Sequence, residues 1–236
     1  MSVRRRGARL SNGALWLLAA VGQVLAQSPA VNALDRYLNG LNSLNAVFRQ
    51  TVSNAEGVQT ESGTGRLTVL RPGRFRWEYL PTSSTDAANP GAADAGRDKS
   101  DSRGQLLVAD GRNLWFYDRE LSQVTVKPVE SALSATPIAL LSGSSTQLRE
   151  TFDIVPEARR DGLDWVQVKP RSAEADFSSA QLGFSGDSLI RMIVSDRLGQ
   201  TMQLDFSHSE RNPRVDPALL KFQPPPGVDV IGTPQG

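Results

Sequence analysis

The sequence predicts a mainly β protein: an antiparallel sheet, strongly curved or nearly closed, with helices on one face. Three observations predict it. Apolar and polar residues alternate at period two in roughly ten or eleven short runs between residues 46 and 208. Turn pairs separate many of these runs, among them Asp110-Gly111, Asp161-Gly162, Gly186-Asp187 and Leu198-Gly199. Helical spacing is confined to a few short segments, and no helix-length crossovers alternate with the strands, which argues against a doubly wound α/β fold.

Ser28-Pro29 reads as an N-cap followed by proline at the first helical position. Val31, Leu34, Leu38 and Leu41 then recur at helical spacing, with Gly40 as the stop. A helix this short is marginal alone, so its apolar stripe must lie against something. The period then changes to two. Ala46, Phe48 and Gln50 share one side, with Val47 and Arg49 on the other. Gly65 to Arg71 puts Leu67, Val69 and Arg71 on one face, and Pro72-Gly73 makes a bend. Arg74 to Tyr79 alternates strictly: Phe75, Trp77 and Tyr79 on one face, Arg74, Arg76 and Glu78 on the other. The charged face must meet water; the aromatic face must meet a core or a ligand.

Residues 82–104 break the pattern. These 23 residues hold five Ala, four Asp, four Ser and three Gly, and no Val, Ile, Leu, Met, Phe, Trp or Tyr. Such a segment buries too little apolar area to offset its ordering entropy, so it reads as a flexible insertion between two strands of one domain. Strands resume at 105–109, 113–118 and 123–127. Thr136-Pro137 can cap a short helix or single turn through Leu141, before Gly143. Runs at 151–155, 165–169, 180–184, 188–194 and 201–208 complete the strands.

Residues 1–26 read as a secretory signal peptide, leaving 27–236 as a single domain. Arg4, Arg5, Arg6 and Arg9 form the basic front, an apolar stretch follows, and Val24-Leu25-Ala26 fits a cleavage site. The formal charge of the whole chain is +1, from 26 basic and 25 acidic residues. Removing four Arg and no acids leaves 22 basic against 25 acidic, a net of −3. No basic excess exists for a phosphate backbone, which argues against nucleic acid. The expected location is the periplasm. Zero cysteines exclude disulfides, thiolate metal sites, thiol nucleophiles and anchoring through a lipidated cysteine. One histidine argues against His-rich metal sites. No metal or cofactor is expected.

One motif pair points to hydrolysis. Gly186-Asp-Ser-Leu189 spells the nucleophile block of GDSL hydrolases, and Asp205-x-x-His208 their acid and base block. That fold is α/β, with the blocks far apart in the chain. Here they are about 20 residues apart, in β-rich sequence, and a triad needs geometry as well as letters. A secreted GDSL-like esterase using Ser188 and His208 is therefore the alternative reading, and a non-enzyme the main one.

The stronger signal is apolar. Phe75, Trp77, Tyr79, Trp115, Phe116 and Tyr117 crowd neighbouring strands. They make either a packed core or a lined cavity for an apolar ligand. Arg71 favours the cavity, because its parity with Leu67 and Val69 turns it toward the apolar side. A guanidinium there must find acceptors, and carbonyls at the end of the 136–141 turn are candidates. The other possibility is that Pro72-Gly73 ends the strand early and lets Arg71 reach solvent.

Seven stretches resemble the LolA family of periplasmic outer-membrane lipoprotein carriers. They are Phe48-Arg-Gln50, Gly65-Arg-Leu-Thr-Val-Leu-Arg-Pro72, Arg74-Phe-Arg-Trp-Glu-Tyr79, Asp110-Gly-Arg-Asn-Leu-Trp-Phe-Tyr-Asp118, Gln123-Val-Thr125, Thr136-Pro-Ile-Ala-Leu-Leu141 and Pro224-Pro-Pro-Gly-Val-Asp229. The resemblance implies an unclosed β-barrel with a helical lid over an apolar cavity. It implies a chaperone that takes acylated lipoproteins from an inner-membrane ATP-driven releasing complex and passes them to an outer-membrane receptor. It places the family's functional arginine on Arg71 and its lid residues on Ile138 to Leu141. With the aromatic signal, the candidate ligand-binding and lid residues are Arg71, Leu67, Val69, Phe75, Trp77, Tyr79, Trp115, Tyr117, Ile138, Leu140 and Leu141. A monomer is expected. The 82–104 insertion departs from the family pattern.

Processing after Ala26 is the first testable expectation. Mass spectrometry of periplasmic protein should find Gln27 at the N-terminus; a membrane-bound form retaining Met1 refutes the assignment.

Overall fold

A computed structural model describes residues 28–82, 104–129, 138–143, 145–173 and 175–236. The predicted signal peptide, nearly all of the 82–104 insertion and the Thr136-Pro137 cap lie outside the described residues.

The first element is helix α1 (Pro29–Asn39), and its start follows the sequence signals. Ser28 is extended, with ψ 148°, and its hydroxyl accepts the amide of Val31 at 3.3 Å. Ala30, Val31, Ala33, Leu34, Tyr37 and Leu38 form the buried face. Six strands follow: β1 (Ser43–Ser53), β2 (Gln59–Leu70), β3 (Arg74–Pro81), β4 (Gln105–Asp110), β5 (Asn113–Asp118) and β6 (Gln123–Pro128). Two short helices come next, α2 (Ala139–Ser142) and α3 (Ser145–Thr151). Then come β7 (Phe152–Pro156), β8 (Asp164–Pro170), β9 (Ser179–Ser185), β10 (Ser188–Ser195) and β11 (Thr201–Arg211). A single 3-10 turn, Pro217–Leu220, precedes β12 (Asp229–Ile231).

All twelve strands join one curved, open sheet in the order β12-β6-β5-β4-β3-β2-β1-β11-β10-β9-β8-β7. Every neighbouring pair is antiparallel except β12 with β6. β7 and β12 are the two ends, and among the described residues no ladder joins them. Helix α1 packs across β7 to β10 on the concave face, where it shares one large apolar core with β1 to β3. A second, smaller core lies around Leu106, Val108, Trp115, Val124 and Val126, covered by Phe222 and Val228 of the C-terminal segment.

Three elements differ from the sequence reading. Helix α3 replaces what reads as connecting chain. β12 is a strand that no periodicity announces. β11 runs on to Arg211 rather than ending at His208, because the chain bulges there: Asn45 faces Glu210 while Val47 faces Ser207.

Gly65 shows how tightly the concave face is built. Phe48 lies over Gly65, its ring centroid 4.1 Å from that of Trp77. A methyl group at position 65 would overlap both the Phe48 ring and the Glu78 carbonyl oxygen. One of the two is backbone in the neighbouring strand, which cannot rotate away. Gly65→Ala should therefore lower stability by about 1–3 kcal/mol, the usual cost of overpacking, read as a shifted denaturant midpoint. An unchanged midpoint would show that β2 and β3 part freely here.

Candidate functional site

Arg71 follows the last residue of β2, and its half-buried side chain turns toward the two helices above the concave face. Nη1 donates to the Leu38 carbonyl oxygen at 2.7 Å, on the last turn of α1. Nη2 donates to the Leu141 carbonyl oxygen at 3.1 Å, in α2, and Nε approaches the same oxygen at 3.4 Å. The last carbonyls of a helix have no partner within it; one guanidinium reaches the end carbonyls of two helices at once, sharing the Leu38 oxygen with the Leu41 amide at 3.3 Å. The Gly73 amide adds a long bond, 3.5 Å, to the Ser142 carbonyl oxygen. The carbonyl acceptors looked for in the sequence are present, and the solvent-facing alternative for Arg71 is not what the fold adopts.

A second arginine meets the same end of α1 from the other side. Arg211 Nη2 donates to the Tyr37 carbonyl oxygen at 3.0 Å, and Nη1 to the Asp187 carbonyl oxygen at 3.1 Å. Its guanidinium stands 5.2 Å from the centroid of the Tyr37 ring. Asn212 donates to the Gly40 carbonyl oxygen at 2.8 Å and accepts from the Asn42 amide at 2.7 Å. Arg149 of α3 grips both carboxylate oxygens of Asp35. Helix α1 is thus tied to strands and to α3 by several contacts, and Arg71 bridges it to α2.

Burial lowers the Arg71 pKa; Tyr37 opposes that shift and Arg211 reinforces it. Guanidinium pKa values lie so high that the group keeps its charge at any physiological pH. Burial pushes the Tyr37 phenol up to about 12, against the pull of Arg211 and Arg71.

Beside the helices the concave face opens into a groove of about 250 Å³. Trp77, Leu107 and Phe116 form one wall, from β3, β4 and β5. Met192, Met202 and Leu204 form the other, from β10 and β11. Ile138, just before α2, reaches over it, and Gln50 and Gln105 are its polar members. The volume falls just below the ~300–1,000 Å³ of typical small-molecule sites.

The structure divides the candidate residues. Trp77 and Ile138 line the groove. Leu67, Val69, Phe75, Tyr79, Leu140 and Leu141 are buried in the same large core. Trp115 and Tyr117 are a correction: they face away, packed on Phe222 at ring-centroid distances of 5.6 and 6.0 Å. Register decides this. Phe116 pairs with Leu107, and Leu107 with Trp77, so those three share the concave side and their neighbours do not. The Trp115 indole also donates to Asp110 at 2.7 Å on that opposite side.

The sequence model of the family described as "Outer membrane lipoprotein carrier protein LolA" matches residues 39–85 and 99–223. A protein named outer-membrane lipoprotein carrier protein from Leptothrix cholodnii is 36% identical over 230 residues, 98% of each chain. One of the same name from Dechloromonas aromatica is 35% identical over 209 residues, 89% of this chain and 90% of its own. The chain belongs to the LolA family of outer membrane lipoprotein carrier proteins. Among solved structures, a LolA superfamily protein from Nitrosomonas europaea aligns with a TM-score of 0.43 and 12% identity, over 82% of this chain and 97% of that one.

In this LolA-family chain the esterase letters do not assemble. Gly186, at φ +58°, and Asp187 form the β9–β10 turn, and Asp187 is held by Arg36. His208 sits exposed in the bulge at φ +49°. Asp205 is engaged by Arg191 and Gln203, not by the histidine. Among the described residues no hydrogen bond joins Ser188 to His208.

The sequence reading missed Leu107, Met192, Met202, Leu204, Gln50 and Gln105 as groove residues and Arg211 as a partner of α1, and left Phe116, named among the clustered aromatics, out of its candidates. Strand parity groups Gln50 with Phe48. The Met and Leu pairs carry no signal beyond ordinary alternation.

The Tyr37 shift fixes a pH dependence. Below about pH 10 the phenol is protonated in both folded and unfolded chains, and the stabilisation is complete. As pH rises toward 12 the unfolded chain loses its proton first, so stability falls. A phenolate absorbance titration should show a component near pH 12 that Tyr37→Phe removes, while Tyr79, pushed higher still by burial and by Glu61, titrates later and remains. All three tyrosines titrating together near pH 10 in the folded protein would contradict this.

Proposed function

We propose that the chain is a periplasmic chaperone that shelters the acyl chains of lipoproteins in its groove, with Ile138 and α2 as the moving cover. On this reading it accepts cargo from a releasing complex in the inner membrane and yields it to a receptor at the outer membrane. Family membership supports the carrier role. The observation that carries the mechanism is the Arg71 bridge between Leu38 and Leu141 beside an apolar groove.

Energetics fit a carrier without its own fuel. Burying acyl chain is worth about 0.8 kcal/mol per CH₂ relative to water. The membrane offers nearly the same gain, so exchange between membrane and groove is close to balanced. No P-loop is present to drive extraction. The energy then comes from the donor, and release needs an acceptor with a better site. A small groove that must widen to take cargo, and that recovers its Arg71 contacts on emptying, suits such an exchange better than a tight permanent site.

The cover can be tested at its latch. Arg71→Leu removes the donors and keeps much of the bulk. Hydrogen bonds to a charged donor are worth about 1.5–3 kcal/mol each, so losing one or two shifts an open–closed balance by about tenfold or more. The variant should accept lipoprotein from spheroplasts yet transfer it poorly to the receptor. Arg71→Lys should recover part of the transfer, since lysine keeps the charge and lacks the fork. Equal transfer by wild type and both variants would remove Arg71 from the mechanism.

A further inference from the structure

The groove is apolar apart from two amides, and they differ in their access to water. Gln105 is exposed, so water satisfies it. Gln50 is 8% exposed, on the core-facing side of β1 with Ala46 and Phe48. A primary amide so placed costs free energy unless its hydrogen bonds are made. Its amide faces the Tyr79 hydroxyl oxygen, which is free to accept because that hydroxyl donates to Glu61 Oε1 at 2.6 Å. Glu61 thereby orients Tyr79, and Tyr79 orients Gln50. The second N–H of Gln50 and its carbonyl oxygen have no partner among the described residues.

We propose that Gln50 is a specificity-determining residue of the groove, donating its second N–H to the carbonyl oxygen of a bound acyl group. The ligand class is then the carbonyl-bearing acyl chain, ester-linked or amide-linked, rather than hydrocarbon as such. A ligand of equal length without that carbonyl leaves the donor buried and unpaired, and sites built around a buried donor discriminate on that ground. The apolar walls supply affinity without register. One fixed polar group supplies the register, setting how far the chain runs along the groove. The proposal rests on the groove being the acyl-chain site.

An ester and an ether that differ only in the carbonyl test it. Purified full-length protein is loaded with a solvatochromic dye, which is then displaced by 1-monopalmitoylglycerol or by 1-O-hexadecylglycerol. Wild type should bind the ester about three- to tenfold more tightly, the worth of one neutral hydrogen bond. Gln50→Met, close in volume and without the amide, should bind both lipids with the ratio reduced to about one. Tyr79→Phe removes the oxygen that orients Gln50 and should give an intermediate ratio, which keeps the test alive if Gln50→Met does not fold. Equal binding of both lipids by wild type overturns the proposal and leaves the carrier reading intact. So does a Gln50→Met variant that keeps the wild-type ratio, or that weakens both lipids in parallel. Failure of both lipids to displace the dye from wild type overturns the proposal and the acyl-chain reading together.

Discussion

The arrangement over the concave face depends on one charge shared between two helix ends. Arg71 touches α1 at Leu38 and α2 at Leu141, forming a polar link between those helices. Its position follows from where β2 stops, since Leu70 is the last strand residue and Pro72-Gly73 turns the chain back. The acceptors are end carbonyls, which have no partner within their own helices. A guanidinium suits them because its donors spread in a plane and reach two directions at once.

The two helices are held unequally. Helix α1 has Arg211, Asn212, Arg36 with Asp187, and Asp35 with Arg149 to keep it on the strands and α3. Helix α2 is four residues long, and the Gly73 amide and Arg71 are among its polar ties. Short helices owe their stability to packing, and Leu140 and Leu141 provide it, both fully buried. If the groove opens as proposed, α1 is the fixed wall and α2 the part that swings.

Much of the fold was legible because strands announce themselves locally. Phe75, Trp77 and Tyr79 alternate with charges, and all three are buried as that pattern requires. The Ser28-Pro29 cap was equally plain. What escaped was either too short or non-local. Helix α3, Ser145–Thr151, has a single large apolar residue, Leu148, and one residue makes no period. β12 is three exposed residues whose partner, β6, lies about a hundred positions earlier. Trp115-Phe116-Tyr117 is aromatic on both faces, so parity alone separates Phe116 from its neighbours without saying which side holds the groove. Only the pairing of β5 with β4, and of β4 with β3, decides it.

Among the described residues the sheet ends in two edges, β7 and β12, rather than closing on itself. A closed barrel has its girth fixed by strand number and stagger; widening it means breaking a ladder of hydrogen bonds. Here β7 and β12 have no ladder to break among the described residues, so the sheet can flatten or curl by small changes of twist spread over eleven neighbouring pairs. The compliance of this molecule is therefore distributed along its backbone curvature, and its interior is elastic in width while every strand keeps its partner.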